Sequence, residues 1–365
     1  MITIKDVTEY LESFAPSSLQ ETYDNAGLIV GNYSASVNGI LISLDSTEEV
    51  IDEAIRHKCN LVIAHHPIVF SGIKKLNGKN YVERTVIKAI QNDVAIYAIH
   101  TNLDNAHIGV NKKICDKLGL KNTRILSPKK DLLRKLVTFC PKQYADNIRI
   151  ALFEAGAGHI GNYDQCSFNS EGKGTFRASG YANPFVGEKG KIHLEEEVRI
   201  ESIFPEALET RILAALVKAH PYEEVAYDIY PLENYHKQVG GGMIGELENE
   251  TNDKEFLKFL KTAMKTACIR HTKLLGKKVK TIAVCGGSGS FLLNDAIRAE
   301  ADFFVTSDFK YHQFFDADNR IVIADIGHYE SEQFTSELLN ELLVRNFSTF
   351  AVRLTELVTN PVHYY

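Results

Sequence analysis

None of the six cysteines (Cys59, Cys115, Cys140, Cys166, Cys268, Cys285) stands in a CxxC spacing. Scattered through apolar segments, they exclude a disulfide framework and read as buried thiols in a reducing compartment. No apolar run approaches the length that spans a bilayer. Positive charge is not in excess, because 41 Lys and Arg stand against 47 Asp and Glu for a net charge of −6. That balance argues against a protein built mainly to hold nucleic acid, although a local basic patch stays open. The glycine-rich CGGSGS at 285–290 lacks the Lys-Ser/Thr of a P-loop and the third glycine of a dinucleotide fingerprint. The opening MITIKDVTEYLESF is acidic and amphipathic, unlike a secretory signal, so the expected location is cytoplasmic.

What remains is an ordinary globular composition in 365 residues, enough for two domains or one enlarged one. The first part alternates helical and strand patterns. TIKDVTEYLESFAP has helical spacing with Thr3 as N-cap and a stop at Pro16. GILISLD, LVIAHHP and AIYAIHTNLDNA read as strands, the last with a polar end, and STEEVIDEAIRHKCN and YVERTVIKAIQNDV as helices. Continuous apolar strands alternating with helices imply a mostly parallel or mixed sheet covered on both faces. From Lys129 the pattern changes. Two units in tandem, each strand, Pro-containing turn, helix, strand, predict a β-α-β-β-α-β plait of the ferredoxin-like kind. The NYDQCSF stretch is read as a strand, and the Gly- and Asn-rich segment that follows it, to about residue 194, as a long loop with short hairpin strands. After QVGGGMIGEL the first pattern resumes. The expected organisation is therefore an α/β domain, 1–128 with 238–365, interrupted by an inserted α+β domain, 129–237.

In open α/β sheets, ligands collect beyond the carboxyl ends of the strands. Those ends carry His65-His66, then His100 and Asp104, then CGGSGS, then TSDFKYH, then GHYESE. His328 and Glu332 stand at i and i+4, one turn apart on one helix face. Pro67 favours an extended His66; if the strand has ended at His65, the pleat no longer forces the two rings apart. His65, His66, His328, Asp104 and Glu332 then make a donor set for two divalent ions. Mixed nitrogen and oxygen ligation favours zinc, iron, manganese or cobalt over calcium or magnesium. Each residue alone has an ordinary alternative: a hydrogen-bonded histidine pair, a turn aspartate, a helix-surface pair. CGGSGS fits an anion cradle or a tight packing turn equally well. Asp308, Lys310 and His312 of TSDFKYH fit substrate contact or a solvated strand end.

Together, YDNAGLIVGN, AHHPIVF, HTNLDNA, AVCGGSGS, VTSDFKYH and GHYESE resemble the GTP cyclohydrolase I type 2 homologues, also called Nif-three-like proteins. ANPFVGEKG and HPYEEVAYDIYPL resemble the PII-like (CutA-like) insert of the longer bacterial members. Tyr23 stands where many members have tryptophan, and Ser307 where glycine is common. The resemblance implies a two-metal centre on His65, His66, Asp104, His328 and Glu332, with Glu332 bridging, and zinc as the first choice of metal. It also implies a toroidal homohexamer whose inserted domains cap the openings. Its name implies metal-dependent hydrolysis of a nucleotide, with opening of the GTP purine ring and loss of formate; His312 or Glu330 is the expected proton carrier. A dinuclear centre equally suits a phosphatase or phosphodiesterase. A metal-binding oligomer that senses a small effector through its PII-like insert, without turnover, is a further reading. No membrane or nucleic-acid partner is expected.

Overall fold

The computed structural model describes residues 1–365. The chain divides into two compact units, Met1–Pro128 with Gln238–Tyr365, and Lys129–Lys237.

Local sequence sets the helix starts of the first unit. Helix Ile4–Phe14 opens with a reciprocal capping box: the Thr3 side chain accepts from the Asp6 N–H, and the Asp6 carboxylate accepts from the Thr3 N–H. Helix Glu48–Arg56 is capped by Thr47, which accepts from the Val50 N–H, and has Glu48 and Glu49 in its first turn.

Two sheets organise this unit. In the first, the order is Gly27–Val30, Ala95–Ala98, Leu61–Ala64, Gly39–Ser43 and Ala351–Leu354. All its pairings are parallel except Gly27–Val30 on Ala95–Ala98. The second runs Arg270–His271, Val322–Asp325, Phe303–Ser307, Lys278–Ser288, His236–Asn252 and Lys121–Lys129; its three central strands are parallel, and Arg270–His271 and His236–Asn252 join them antiparallel. Side chains alternate between faces. Ile40 and Ile42 enter one core cluster and Leu41 another; Phe303 and Val305 join that first cluster, while Phe304 lies in a third. The first cluster contains strand residues of both sheets together with helix residues Val7, Leu11, Phe256, Leu339 and Leu343. A helical layer therefore lies between the two sheets, and further helices cover their outer faces. This is a mixed α/β architecture, and burial on both faces accounts for the uninterrupted apolar strands.

Some elements depart from the expectations above. HTNLD is a one-turn helix, Thr101–Asn105, where a strand end was expected. The His100 N–H donates to the Asn102 side chain at 2.9 Å, which turns the chain at that point. Strands Gly27–Val30 and Ala351–Leu354, four residues each, are too short to stand out by pattern.

In the second unit the elements run strand, helix, strand, strand, helix, strand: Leu133–Pro141, Ala145–Glu154, Phe168–Arg177, Ile192–Pro205, Glu209–Ala219 and Tyr227–Leu232. The sheet is antiparallel, with Leu133–Pro141 between Ile192–Pro205 and Tyr227–Leu232, and Phe168–Arg177 at an edge. Leu136, Cys140, Val198, Ile200 and Phe204 pack with Ile148, Leu152, Ile212 and Leu216 of the helices. The segment expected as a long loop with short hairpin strands holds a ten-residue strand, Phe168–Arg177, paired with Ile192–Pro205, and the loop between them is 178–191. NYDQCSF is irregular until Phe168. An edge strand whose residues are mostly exposed carries no apolar alternation, so its sequence reads as loop.

Phe303 is fully buried and meets Phe256 edge to face at 4.7 Å between ring centroids. Phe303→Ala is expected to cost about 3–5 kcal/mol, read as a lowered midpoint in denaturant unfolding.

Candidate metal centre

The parallel strands of both sheets direct their carboxyl ends to one place. Ser43, Ala64 and Ala98 end the strands of the first sheet, and Ser307 and Asp325 end strands of the second. At the end of Leu61–Ala64 the ladder stops. The N–H groups of His65 and His66 both donate to the Leu44 carbonyl, at 3.1 and 3.0 Å. Two successive amides on one carbonyl cannot belong to a regular pleat, so the adjacent rings are released to the same side. Their centroids lie 5.0 Å apart.

Each imidazole is held by its Nδ1. His65 Nδ1 lies 2.8 Å from the Ile99 carbonyl, His66 Nδ1 2.8 Å from Asp45 Oδ1, and His328 Nδ1 2.6 Å from Asp308 Oδ2. These acceptors select the tautomer with Nε2 free to act as a ligand. All three Nε2 atoms face Glu332. His66 Nε2 is 2.9 Å and His328 Nε2 3.1 Å from Glu332 Oε2, while His65 Nε2 is 3.7 Å from Oε1 and 3.6 Å from Asp104 Oδ1. The donors thus fall into two groups that share one carboxylate: His66, His328 and Glu332, and His65, Asp104 and Glu332. Either could hold a metal ion.

The polar bookkeeping supports that reading. His65 Nε2 and Asp104 Oδ1 are buried and have no hydrogen-bond partner, a costly condition that a cation between them would remove. Burial and the neighbouring Glu332 charge push the Asp104 carboxyl up to about 8. Burial also disfavours charge on Glu332, but the three imidazoles outweigh it and hold that carboxyl well below its ordinary value. For His66, burial opposes protonation, yet Asp45 and Glu332 raise it to about 10; for His328, Asp308 and Glu332 raise it to about 11. Without a cation, protons compensate the buried carboxylates. Gly287, at φ +62°, completes the cradle, since a Cβ there would fall 2.4 Å from Glu332 Oε1.

A cavity of about 780 Å³ is bordered by His66, Asp104, His328 and Glu332, with Tyr23, Phe70, Phe291 and Tyr364 on its walls, while His65 is fully buried and off the wall. All five expected ligands are brought together. Glu330 also borders the cavity and accepts from the Asn360 side chain at 3.2 Å. His312 does not join them: it is exposed, stacks on Phe315 and is absent from the cavity wall. In CGGSGS the amides of Gly286 and Gly287 are occupied by Asn111 and Ser331, so those two serve a packing turn.

Sequence reasoning did not assign Asp45, Asp24 or the place of His100. Asp45 follows the strand end in SLDS, as Asp308 does in TSD, and position after a strand end is the only signal either carries. His100 lies in the cavity wall, edge-on to His65 and His66. Its Nδ1 is 2.7 Å from Asp24, which also accepts from the Thr101 N–H at 3.0 Å.

Residues 2–361 match the family Duf34/NIF3 (NGG1p interacting factor 3). The chain belongs to this family. It is 39% identical over 363 residues to a Bacillus subtilis protein called GTP cyclohydrolase 1 type 2 homolog, covering 98% of this chain and 97% of that one. A protein of the same description from Halalkalibacterium halodurans is 40% identical, with 98% and 96% covered. Among solved structures, a Bacillus cereus protein related to NIF3 superposes with a TM-score of 0.87 at 38% identity, covering 100% of this chain and 99% of that chain. A Staphylococcus aureus protein gives 0.79 at 30% identity, with 100% and 99% covered. No helix is long and apolar enough to cross a membrane.

Two outcomes follow for this family member. Metal ligands must shed their protons, so zinc affinity is expected to rise as pH increases from 6 to 9, with proton release seen by calorimetry in buffers of different ionisation enthalpy. Burial raises the Asp24 carboxyl, but its bonds from His100 and Thr101 prevail and lower it to about 2. A lowered folded value stabilises above the unfolded value and is lost as pH falls through the folded one. Asp24→Asn is therefore expected to cost roughly 2 kcal/mol at pH 7, a deficit that shrinks between pH 4 and pH 2 in thermal unfolding.

Proposed function

We propose that this chain is a dinuclear metal-dependent hydrolase acting on a nucleotide, with opening of the GTP purine ring and release of formate as the leading reaction. The observation that carries the reading is the sharing of Glu332 between two donor groups, each completed by imidazole nitrogen. Imidazole with carboxylate suits zinc first, with iron, manganese or cobalt as alternatives. Two such ions supply Lewis acidity and an activated water at neutral pH. The chain's own part is to hold the ligands and shape the cavity. Asp45, Asp308 and the Ile99 carbonyl fix the three rings. Tyr23 and Phe70, both exposed with ring centroids 6.3 Å apart and planes tilted by 48°, offer aromatic surface beside His100 for a base. Glu330, on the cavity wall two residues beyond His328, carries a proton in this reading.

The names of the relatives support a nucleotide as substrate. The strand order of the second unit supports its reading as an inserted ferredoxin-like, PII-like domain. Six free cysteines support a reducing, cytoplasmic setting. We infer a homohexamer from the family resemblance, to be checked by light scattering.

Zinc- or manganese-loaded protein incubated with a nucleotide panel, with formate and phosphate measured separately, tests the function. Formate from GTP is expected, and His66→Ala or Asp104→Ala is expected to lower the rate at least about 100-fold while unfolding stays cooperative. Phosphate without formate would reassign the centre to phosphoester hydrolysis. Undiminished turnover in metal-stripped protein or in both variants overturns the reading.

A further inference from the structure

The unit Lys129–Lys237 holds a second cavity, of about 580 Å³, which the proposed hydrolysis does not use. Its origin lies in the pleat. Leu136, Cys140, Val198 and Ile200 turn to the helices, so side chains of the opposite parity turn to the other face of the sheet. On that face Arg199 stands opposite Phe139 on one neighbouring strand and opposite Ser170 on the other, and Glu197 stands opposite Gly172. All five border the cavity. Two loops, 178–191 and 220–226, close over them.

The floor is hollow because side chains are missing there. Gly172 and Gly174 occupy alternate positions on this face of the edge strand. A Cβ on Gly172 would meet nothing within 4 Å, and one on Gly174 would fall 2.0 Å from Glu197 Oε2. Glycine weakens a strand interior and marks places where another group approaches the backbone closely. Here it lets the Glu197 carboxylate lie across the floor. Tyr222 donates its O–H to Glu197 Oε1 at 2.9 Å, which leaves Oε2 to accept from a guest.

The roof is held in place. Buried His220 donates Nε2–H to the Phe139 carbonyl at 2.9 Å and accepts the Tyr222 N–H on Nδ1 at 3.1 Å. The Asn183 N–H donates to Glu223 at 2.7 Å, joining the two loops. Phe176 and Phe185 each lie with ring centroids 6.3 Å from Tyr222, so aromatic walls flank a carboxylate. Arg199 already pairs with Glu201 at 3.0 Å. Glu197, Glu223 and Glu224 outnumber Arg199 and Lys173 on the wall, so the polar character favours donors over anions.

We propose that this cavity binds a flat heteroaromatic ring system with N–H donors along one edge. The ring sits among Phe176, Phe185 and Tyr222, and Glu197 receives the donors. The site is separate from the metal centre and does not depend on the reaction proposed there.

Calorimetric titration of the zinc-loaded full chain with guanosine, whose edge presents adjacent ring N–H and amino donors, tests the assignment, with adenosine as the comparison. Guanosine is expected to bind at least ten-fold more tightly than adenosine. Glu197→Gln and Gly172→Val should each weaken it ten-fold or more, and the Glu197-dependent binding should persist in His66→Ala. Gly172→Val fills open space in a strand that glycine weakens, so its thermal midpoint should be no lower than that of the wild type, which separates a blocked site from a misfolded one. Binding lost in His66→Ala but kept in Glu197→Gln would put the guest in the metal cavity and overturn the proposal. So would failure of wild-type protein to bind guanosine, or a changed oligomeric mass in Gly172→Val, which would make this face a contact between copies.

Discussion

The structure turns on one buried carboxylate. Glu332 sits almost wholly out of solvent with three imidazoles around it and Asp104 within reach of the same ring. An isolated charge in that position would be expelled or neutralised. It persists because positive charge, as protons on His66 and His328 or as bound cations, is drawn in to match it. Everything around the cluster serves to keep that arrangement rigid. The strand ladder ends one residue early, a glycine removes the Cβ that would collide with Glu332, and an acceptor fixes each ring.

The outer acceptors differ in kind, and the difference matters chemically. A backbone carbonyl holds His65 in a fully buried place, whereas carboxylates hold His66 and His328 nearer the solvent. A carboxylate partner raises the basicity of the opposite ring nitrogen, and a carbonyl does so less. The two donor groups are therefore not equivalent. Carboxylates back both rings of the one on His66 and His328, and the one on His65 and Asp104 contains the atoms left without partners.

Much of the fold is legible locally. Thr3 and Thr47 announce helix starts through side-chain oxygens that need only their own next turn. Gly39–Ser43 and Leu61–Ala64 read as strands because both faces are buried and every residue is apolar or small. Phe168–Arg177 fails the same test. It is an edge strand with an open face, and its glycines and charges carry loop composition although its hydrogen bonds belong to a sheet. Thr101–Asn105 fails for another reason, since its turn is set by side-chain bonds to the backbone and to distant Asp24.

The sequence by itself determined which chemistry was available: histidines and carboxylates at strand ends, without a P-loop or a thiol pair. That follows because residue type and element boundary are local properties, and His328 with Glu332 is related by a single helical turn. Only the tertiary structure decided that residues 65, 66, 104, 328 and 332 share one point, that Asp45 and Asp308 are their supports, and that His312 stands apart. Those relations depend on two sheets packing against a common helical layer, so that strand ends far apart in the chain face each other. No local periodicity encodes that distance.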